Sequence, residues 1–282
     1  MKIIDGKSIS AKTKEELRLE VAELKQNGIS VGLAVIIVGD DPASRVYVNN
    51  KKKACELLGI YSEEYALPAE TTMDDLLGLI EELNGRSDIN GILCQLPLPR
   101  HLDEKAVINA ISPEKDVDAF HPVNVGKIMI GDFDFLPCTP AGVMRLLDES
   151  GIEIEGKSCV VIGRSNIVGK PMSMLLLHRN ATVTICHSKT KDLKEVTKKA
   201  DILVAAVGRA NFVTADMVKE DAVVIDVGIN RLPDGKLCGD VDFNAVSEKC
   251  SFITPVPGGA GPMTIAMLMA NTVTAAKKQN NL

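Results

Sequence analysis

The chain has 282 residues, 45% of them hydrophobic and 25% charged, the balance of a globular protein long enough for two domains rather than of a disordered or fibrous one. A formal net charge of −6 and a pI near 5.4 give no general attraction to phosphate backbones or anionic lipid, so no nucleic acid and no membrane is expected as a partner, and small molecules are. Seven cysteines without a CxxC pair argue against a zinc ribbon and, being odd in number, against a complete disulfide framework, so reduced thiols and no metal are expected.

Taken in chain order, the opening MKIIDGKSIS mixes acids and bases and lacks the apolar core of a secretory signal, which points to the cytoplasm. Helical periodicity near Ser10–Gln26, Pro42–Leu58 and Met73–Leu83 alternates with strand-length apolar runs at Leu33–Val38, Tyr61–Leu67 and Ile89–Cys94. That alternation predicts an α/β fold with a parallel sheet. At FLPCTPAGV, Thr139 can cap and Pro140 can enter the first turn of a linking helix that runs to Ser150. From Ser158 a second series follows, with strands CVVIG, TVTIC, DILVAAV and AVVIDVG and helices after Ile167, Lys189 and Thr214. A Pro-Asp-Gly turn interrupts it at Leu232 to Lys236. The last helix, from Pro262, is apolar on most sides and so expected to be buried, but the prolines before it leave too short an apolar run to span a bilayer. The expected organisation is two doubly wound units, residues 1–139 and 140–261, with the helix of 262–282 packing back on the first.

The stretch VVIGRSNIVGKP, residues 160 to 171, has the parts of a nucleotide-binding turn: a strand, a glycine where the chain reverses, and a helix N-terminus whose free amides and dipole can meet phosphate. It is not GxGxxG, because Ser165 stands at the second glycine and Gly169 comes one place late. An NAD site places an acid about 20 residues on, for the ribose 2′-hydroxyl. No acid occurs between Gly163 and Asp192, and Arg164, Ser188 and Lys189 supply positive charge and donors instead, which suits the 2′-phosphate of NADP. The motif alone also fits a strand meeting a helix, with Arg164 a solvated loop charge.

In the first unit, Asp41 as N-cap, Pro42 in the first turn and Gly59 at the end frame a helix on which Tyr47, Lys51, Ala54 and Leu58 share one stripe. An amine beside a phenol at the edge of apolar surface can serve as acid or base, although a lysine stem lying over apolar surface with its head in water is the commoner use of this pattern. Gln95 follows the strand GILC, at the carboxyl end where open α/β sheets bind ligands. DVDAFHP sets Asp116 and Asp118 beside His121 in a segment too irregular for an ordinary helix, and PVPGGAGPMT gives a glycine-rich approach to a helix. The four histidines read as incidental, with no ligand spacing for metal.

Together SRVYVNNKKKACELLGI, GILCQLPLP, PEKDVDAFHPVNVG, PCTPAGV, GRSNIVGKP, CHSKT, DVGIN, GDVDF and PGGAGPMT resemble, in order and spacing over nearly the whole chain, the bifunctional methylenetetrahydrofolate dehydrogenase/methenyltetrahydrofolate cyclohydrolase family, the FolD type. The resemblance implies an N-terminal folate-binding catalytic domain and a Rossmann-like NADP-binding domain with a cleft between them. It also implies two activities: oxidation of 5,10-methylenetetrahydrofolate with NADP and hydrolysis of the methenyl product to 10-formyltetrahydrofolate, in one-carbon metabolism that feeds purine biosynthesis. By the same resemblance Lys51 is the catalytic lysine, Tyr47 stacks on the folate, Gln95 assists the lysine and Asp118 holds the pterin, with Pro257, Gly258 and Gly261 also at the substrate. Gly163, Arg164, Ser165, Ile167, Ser188, Ile229 and Thr264 line the cofactor, and the assembly is a homodimer. Two positions depart from the pattern: Ala119 and Ala260 stand where glycine and valine are usual, and Ala119 matters if its backbone needs a positive φ. The competing readings are a monofunctional methylenetetrahydrofolate dehydrogenase, a non-catalytic NADP-binding protein, and a short-chain dehydrogenase. In the last, the YxxxK pair follows the cofactor turn, whereas here it precedes it.

Overall fold

The structure, a computed structural model, describes residues 1–282. Its first elements are β1 (Lys2–Ile3), α1 (Gly6–Gln26), β2 (Gly32–Val38), α2 (Pro42–Leu58), β3 (Tyr61–Leu67), α3 (Met73–Gly85), β4 (Gly91–Cys94), α4 (Glu104–Ala110), α5 (Pro122–Ile130) and α6 (Cys138–Glu149). Then come β5 (Ser158–Ile162), α7 (Gly169–His178), β6 (Thr182–Cys186), α8 (Leu193–Thr197), β7 (Ile202–Ala205), β8 (Val223–Asp226), β9 (Asn230–Arg231), β10 (Leu237–Cys238), α9 (Phe243–Ser247), β11 (Phe252–Ile253) and α10 (Ala260–Gln279). Contacts divide the chain into two compact units, residues 1–11 with 137–264, and residues 12–136 with 265–282.

In the unit of residues 12–136 and 265–282, three parallel strands lie in the order β3-β2-β4. Central β2, GLAVIIV, is buried at every position, the continuous apolar run that a parallel strand covered on both faces requires. One face packs Ala34, Ile36, Val38, Ile92 and Cys94 against Leu76, Ile80 and Leu83 of α3. The frame of α2 forms as its sequence predicts: Asp41 accepts from the Ser44 amide at 2.7 Å, Pro42 opens the helix, and Gly59 closes it at φ 76. Asn90 ties this unit's ends together, accepting from the Gly32 amide and donating to Gln279 near the chain end.

In the unit of residues 1–11 and 137–264, six parallel strands run β1-β11-β8-β7-β5-β6. The chain goes from β5 out to the edge strand β6 and then returns to β7 on the other side of β5. The carboxyl end of β5 is therefore a topological switch point, where open α/β sheets bind ligands. Val160, Ile162, Leu203, Ala205 and Val224 form a core with Val213, Met217 and Val246. No helix of the chain is long and apolar enough to cross a membrane.

Several local expectations change. Lys2–Ile3 forms the edge strand beside Phe252–Ile253, so the N-terminus joins the second sheet and not the unit of residues 1–139 in which the sequence reading placed it. A pairing between two-residue strands at opposite ends of a chain has no local signature. Thr139 does not cap α6; the helix begins at Cys138, and Pro137 occupies the cap without a side-chain bond. The helix expected after Thr214 is a single 3-10 turn, Ala215–Met217. His121, read as incidental, accepts the Val123 amide through Nδ1 and opens α5, a helix hidden in sequence because its start overlaps the irregular DVDAFHP segment.

Candidate active site

The amino-terminal candidates converge within their own unit. Tyr47 and Lys51 lie one turn apart on α2, whose inward face is formed by Ser44, Val48, Ala54, Cys55 and Leu58. Both side chains sit at the margin of that face: Lys51 is half-buried and Tyr47 is 38% exposed. Burial of part of the ring raises the Tyr47 hydroxyl above its ordinary pKa, so the phenol stays neutral and presents an aromatic face. Lys51 Nζ donates to Gln95 Oε1 at 2.8 Å, and Gln95 Nε2 donates to the Leu96 carbonyl at 2.6 Å. The second bond orients the first, because with the amide nitrogen held by a carbonyl the oxygen is the end that faces the amine. The Gln95 backbone continues the sheet beyond β4, its amide donating to the Ile36 carbonyl at 2.8 Å. A rigid strand end thus sets where the lysine can point.

Asp118 follows a segment laid beside β4, where Asp116 forms a parallel bridge with Ile92. The buried Cys94 thiol is pushed up to about 12, first by burial and then by the negative charges of Asp118 and Glu104, with Lys51 acting in the opposite direction. The residue after Asp118, Ala119, is fully buried at φ 57, the left-handed conformation in which a Cβ is unfavourable. Asp116, also buried, does not join the chemistry: its carboxylate accepts from the Phe120 and His121 amides and from Asn124 Nδ2, at 3.2, 2.8 and 2.8 Å.

The second group surrounds the switch point. Gly163 has φ 135, and a Cβ there would lie 2.3 Å from the Ala206 carbonyl oxygen; one at Gly169 would lie 2.3 Å from the Gly163 carbonyl oxygen. Backbone approaches backbone too closely for any side chain, the condition for a tight phosphate-binding turn. The free amides lie elsewhere than the sequence suggests. Ser165 Oγ accepts from the Val168 and Gly169 amides, both at 3.2 Å, and the Ser165 carbonyl accepts from Lys170. The helix start is thereby satisfied from within. The donors left over are the amides of Arg164, Ser165, Asn166 and Ile167, for which the chain supplies no acceptor. These four adjacent amides lie in an exposed loop, open to an acceptor from a bound anion.

Ile162 pairs with Cys186, so Arg164 and Ser188 leave neighbouring parallel strands at the same edge and both are exposed. With Lys189 also exposed and no acid on this edge, the donor set fits a phosphate on the ribose and not a bare 2′-hydroxyl. Ile167 and Ile229 are exposed aliphatics, and the space above Gly261 is bounded by Ile229 Cδ1. Thr264 shares a 3.0 Å hydrogen bond with Thr139, a partner that sequence reading assigned to capping. Pro257 and Gly258 belong to the turn before α10, where Gly258 has φ 113 and borders the Lys7 side chain.

Two further residues escaped the sequence reading. Asp226 accepts from the amides of Gly228, Asp240 and Val241, while Asp240 accepts from those of Val207, Gly208 and Arg209 and from Asn230 Nδ2. The motifs DVGIN and GDVDF are thus one device in which buried carboxylates bind the loops beyond β7 and β8. Their glycines make room, since a Cβ at Gly239 would overlap the Asp226 carboxylate and one at Gly228 that of Asp240.

Both halves of the chain match known protein families. Residues 4–118 match the family model for the tetrahydrofolate dehydrogenase/cyclohydrolase catalytic domain and residues 137–280 that for its NAD(P)-binding domain. The bifunctional protein FolD of Acetivibrio thermocellus is 65% identical over 278 residues, 99% of this chain and 98% of its own. The crystal structure of the bifunctional FolD methylenetetrahydrofolate dehydrogenase/cyclohydrolase of Campylobacter jejuni superposes with a TM-score of 0.97 at 54% identity, covering 100% of both chains. That of the Trypanosoma brucei enzyme, complexed with NADP and an inhibitor, gives 0.95 at 39% identity over 99% of this chain and 98% of its own. The chain belongs to the tetrahydrofolate dehydrogenase/cyclohydrolase family and carries both its catalytic and its NAD(P)-binding domain.

Proposed function

We propose that the two reactions of this enzyme depend on Lys51 and its Gln95 partner: oxidation of 5,10-methylenetetrahydrofolate to the methenyl form with NADP, and hydrolysis of that product to 10-formyltetrahydrofolate. The observation that carries the reading is the Lys51 Nζ to Gln95 Oε1 hydrogen bond at 2.8 Å, with the glutamine oriented by its own bond to Leu96. Tyr47 offers a ring face on which the folate stacks, and Asp118 is the carboxylate that holds the pterin. These contacts orient the one-carbon unit, which is most of what a protein contributes to hydride transfer. NADP, when bound, supplies the hydride acceptor. The amides of Arg164 to Ile167 would hold its diphosphate, Arg164 and Ser188 its 2′-phosphate, and Gly163, Ile229 and Thr264 would border it.

In the hydrolytic step, water bonds to the methenyl carbon and its proton passes to Lys51. The C–N5 bond then breaks as the hydroxyl oxygen of the adduct loses its remaining proton to solvent and becomes the formyl carbonyl on N10, while Lys51 returns the first proton to N5. Gln95 keeps the amine in place through both transfers. The proposed assembly is a homodimer. β6 is the outermost strand of its sheet, and the exposed Ile185 on it and Leu177 before it mark an open edge that a second copy would cover. Initial rates with NADP and NAD side by side, with the product identified, test the reading. NADP preferred and 10-formyltetrahydrofolate formed is the expected result. Accumulation of the methenyl compound at the rate of its uncatalysed hydrolysis would identify a monofunctional dehydrogenase instead, and no NADPH formation would leave only a cofactor-binding protein.

A further inference from the structure

Asp118 is flanked by two clamps that hold backbone, and one of them comes from the far end of the chain. On its carboxyl side, Asp116 takes the Phe120 and His121 amides. On its amino side, the Val117 carbonyl accepts a 2.7 Å hydrogen bond from Asn271 Nδ2, a side chain of α10 that is 8% exposed. The same nitrogen donates to the Leu136 carbonyl at 2.8 Å. Its two protons thus join the two ends of the excursion that contains Asp118, left-handed Ala119 and the whole of α5. The helix that carries Asn271 is itself seated in this unit, with Met269 against Cys55 of α2 and Gln279 bonded to the Asn90 carbonyl.

A residue such as Ala119, held in an unfavourable backbone region, persists only where its surroundings over-determine it. Asp116 holds the far side of this residue, and the Val117 carbonyl that Asn271 holds is the near side, immediately before Asp118. We propose that Asn271 is a positioning residue for Asp118, acting on substrate affinity through the backbone on either side of that carboxylate. The inference rests on the reading of Asp118 as the pterin-holding carboxylate. Leucine at 271 has nearly the same volume and removes the donor of both these bonds; serine keeps one donor.

The test is a double-mutant cycle, read as KM for methylenetetrahydrofolate, kcat and the dissociation constant for NADP in Asn271→Leu, Asp118→Asn and the combination. Asn271→Leu should raise the folate KM about tenfold, the scale of two lost hydrogen bonds, and leave the NADP dissociation constant within about twofold. In the Asp118→Asn background it should add little, since coupled sites are not additive. Asn271→Ser should fall between, and it serves in place of Asn271→Leu if that variant does not fold. An unchanged folate KM in Asn271→Leu or Asn271→Ser, or an equal rise with and without Asp118, overturns the inference while the role of Asp118 stands. An unchanged KM in Asp118→Asn overturns the role of Asp118 and the inference with it.

Discussion

Ala119 is buried with φ 57, beside the carboxylate proposed to hold the pterin. An L-residue there carries strain that glycine does not, partly offset by glycine's greater freedom in the unfolded chain. Ala119→Gly should therefore stabilise the protein by roughly 0.5 to 1 kcal/mol, measured as a rise in the denaturant midpoint at constant slope. A lower midpoint would show that the site accommodates the methyl without strain. The departure from glycine, and the positive φ at which it would matter, were both legible in the sequence; that the angle is in fact positive was not, because the bonds around this turn reach residues as distant as Asn271. Lys51 and Gln95 differ in this respect. A stripe on a well-capped helix and a position just past a strand can both be read from local spacing, and the structure joins them by a bond.

At the scale of elements, α7 shows how a non-glycine at the second position of a nucleotide turn is useful. Ser165 replaces the open backbone of a GxGxxG turn with a hydroxyl that accepts the amide of Val168, just before α7, and that of Gly169, its first residue. Ser165→Ala should cost about 1 kcal/mol, the usual loss of a helix-capping hydroxyl, seen in unfolding of the cofactor-free protein. Stability equal to the parent would mean that water replaces the hydroxyl at both amides. The elements most easily read in advance were the long ones with caps or continuous apolar runs, α2 and β2 among them. Those missed, α4, α5 and α9, are short, at five to nine residues, too brief for periodicity to register. β1 and β11 have two residues each and exist through their pairing.

For the whole molecule, the paired motifs around Asp226 and Asp240 set a pH dependence. Burial raises Asp226 from 3.8 to about 6, against the pull of three amides that favour its charged form. Its folded pKa lies above the unfolded one, so its contribution to stability is fully present below about pH 4 and is lost as pH rises through about 6, a change of roughly 3 kcal/mol. Asp226→Asn removes that titration. Unfolding midpoints of parent and variant, compared from pH 4 to 7, should move in the variant's favour by that order as pH rises; a difference that stays constant would show that the carboxylate titrates normally. The doubly wound class was legible from alternating strand and helix patterns, and the family from motifs in register. The grouping of residues 1–11 with 137–264 was not, since chain ends find partners through topology rather than local composition.

In the proposed mechanism one amine on α2, that of Lys51, carries the hydrolysis. Its most direct measurement is the rate at which a Lys51→Met variant converts methenyltetrahydrofolate to the formyl product, followed by loss of the methenyl absorbance. The expected result is a fall of at least about a hundredfold, the lower range of what a positioned acid or base contributes, with NADP bound as tightly as by the parent. Hydrolysis at the parental rate by that variant would contradict it.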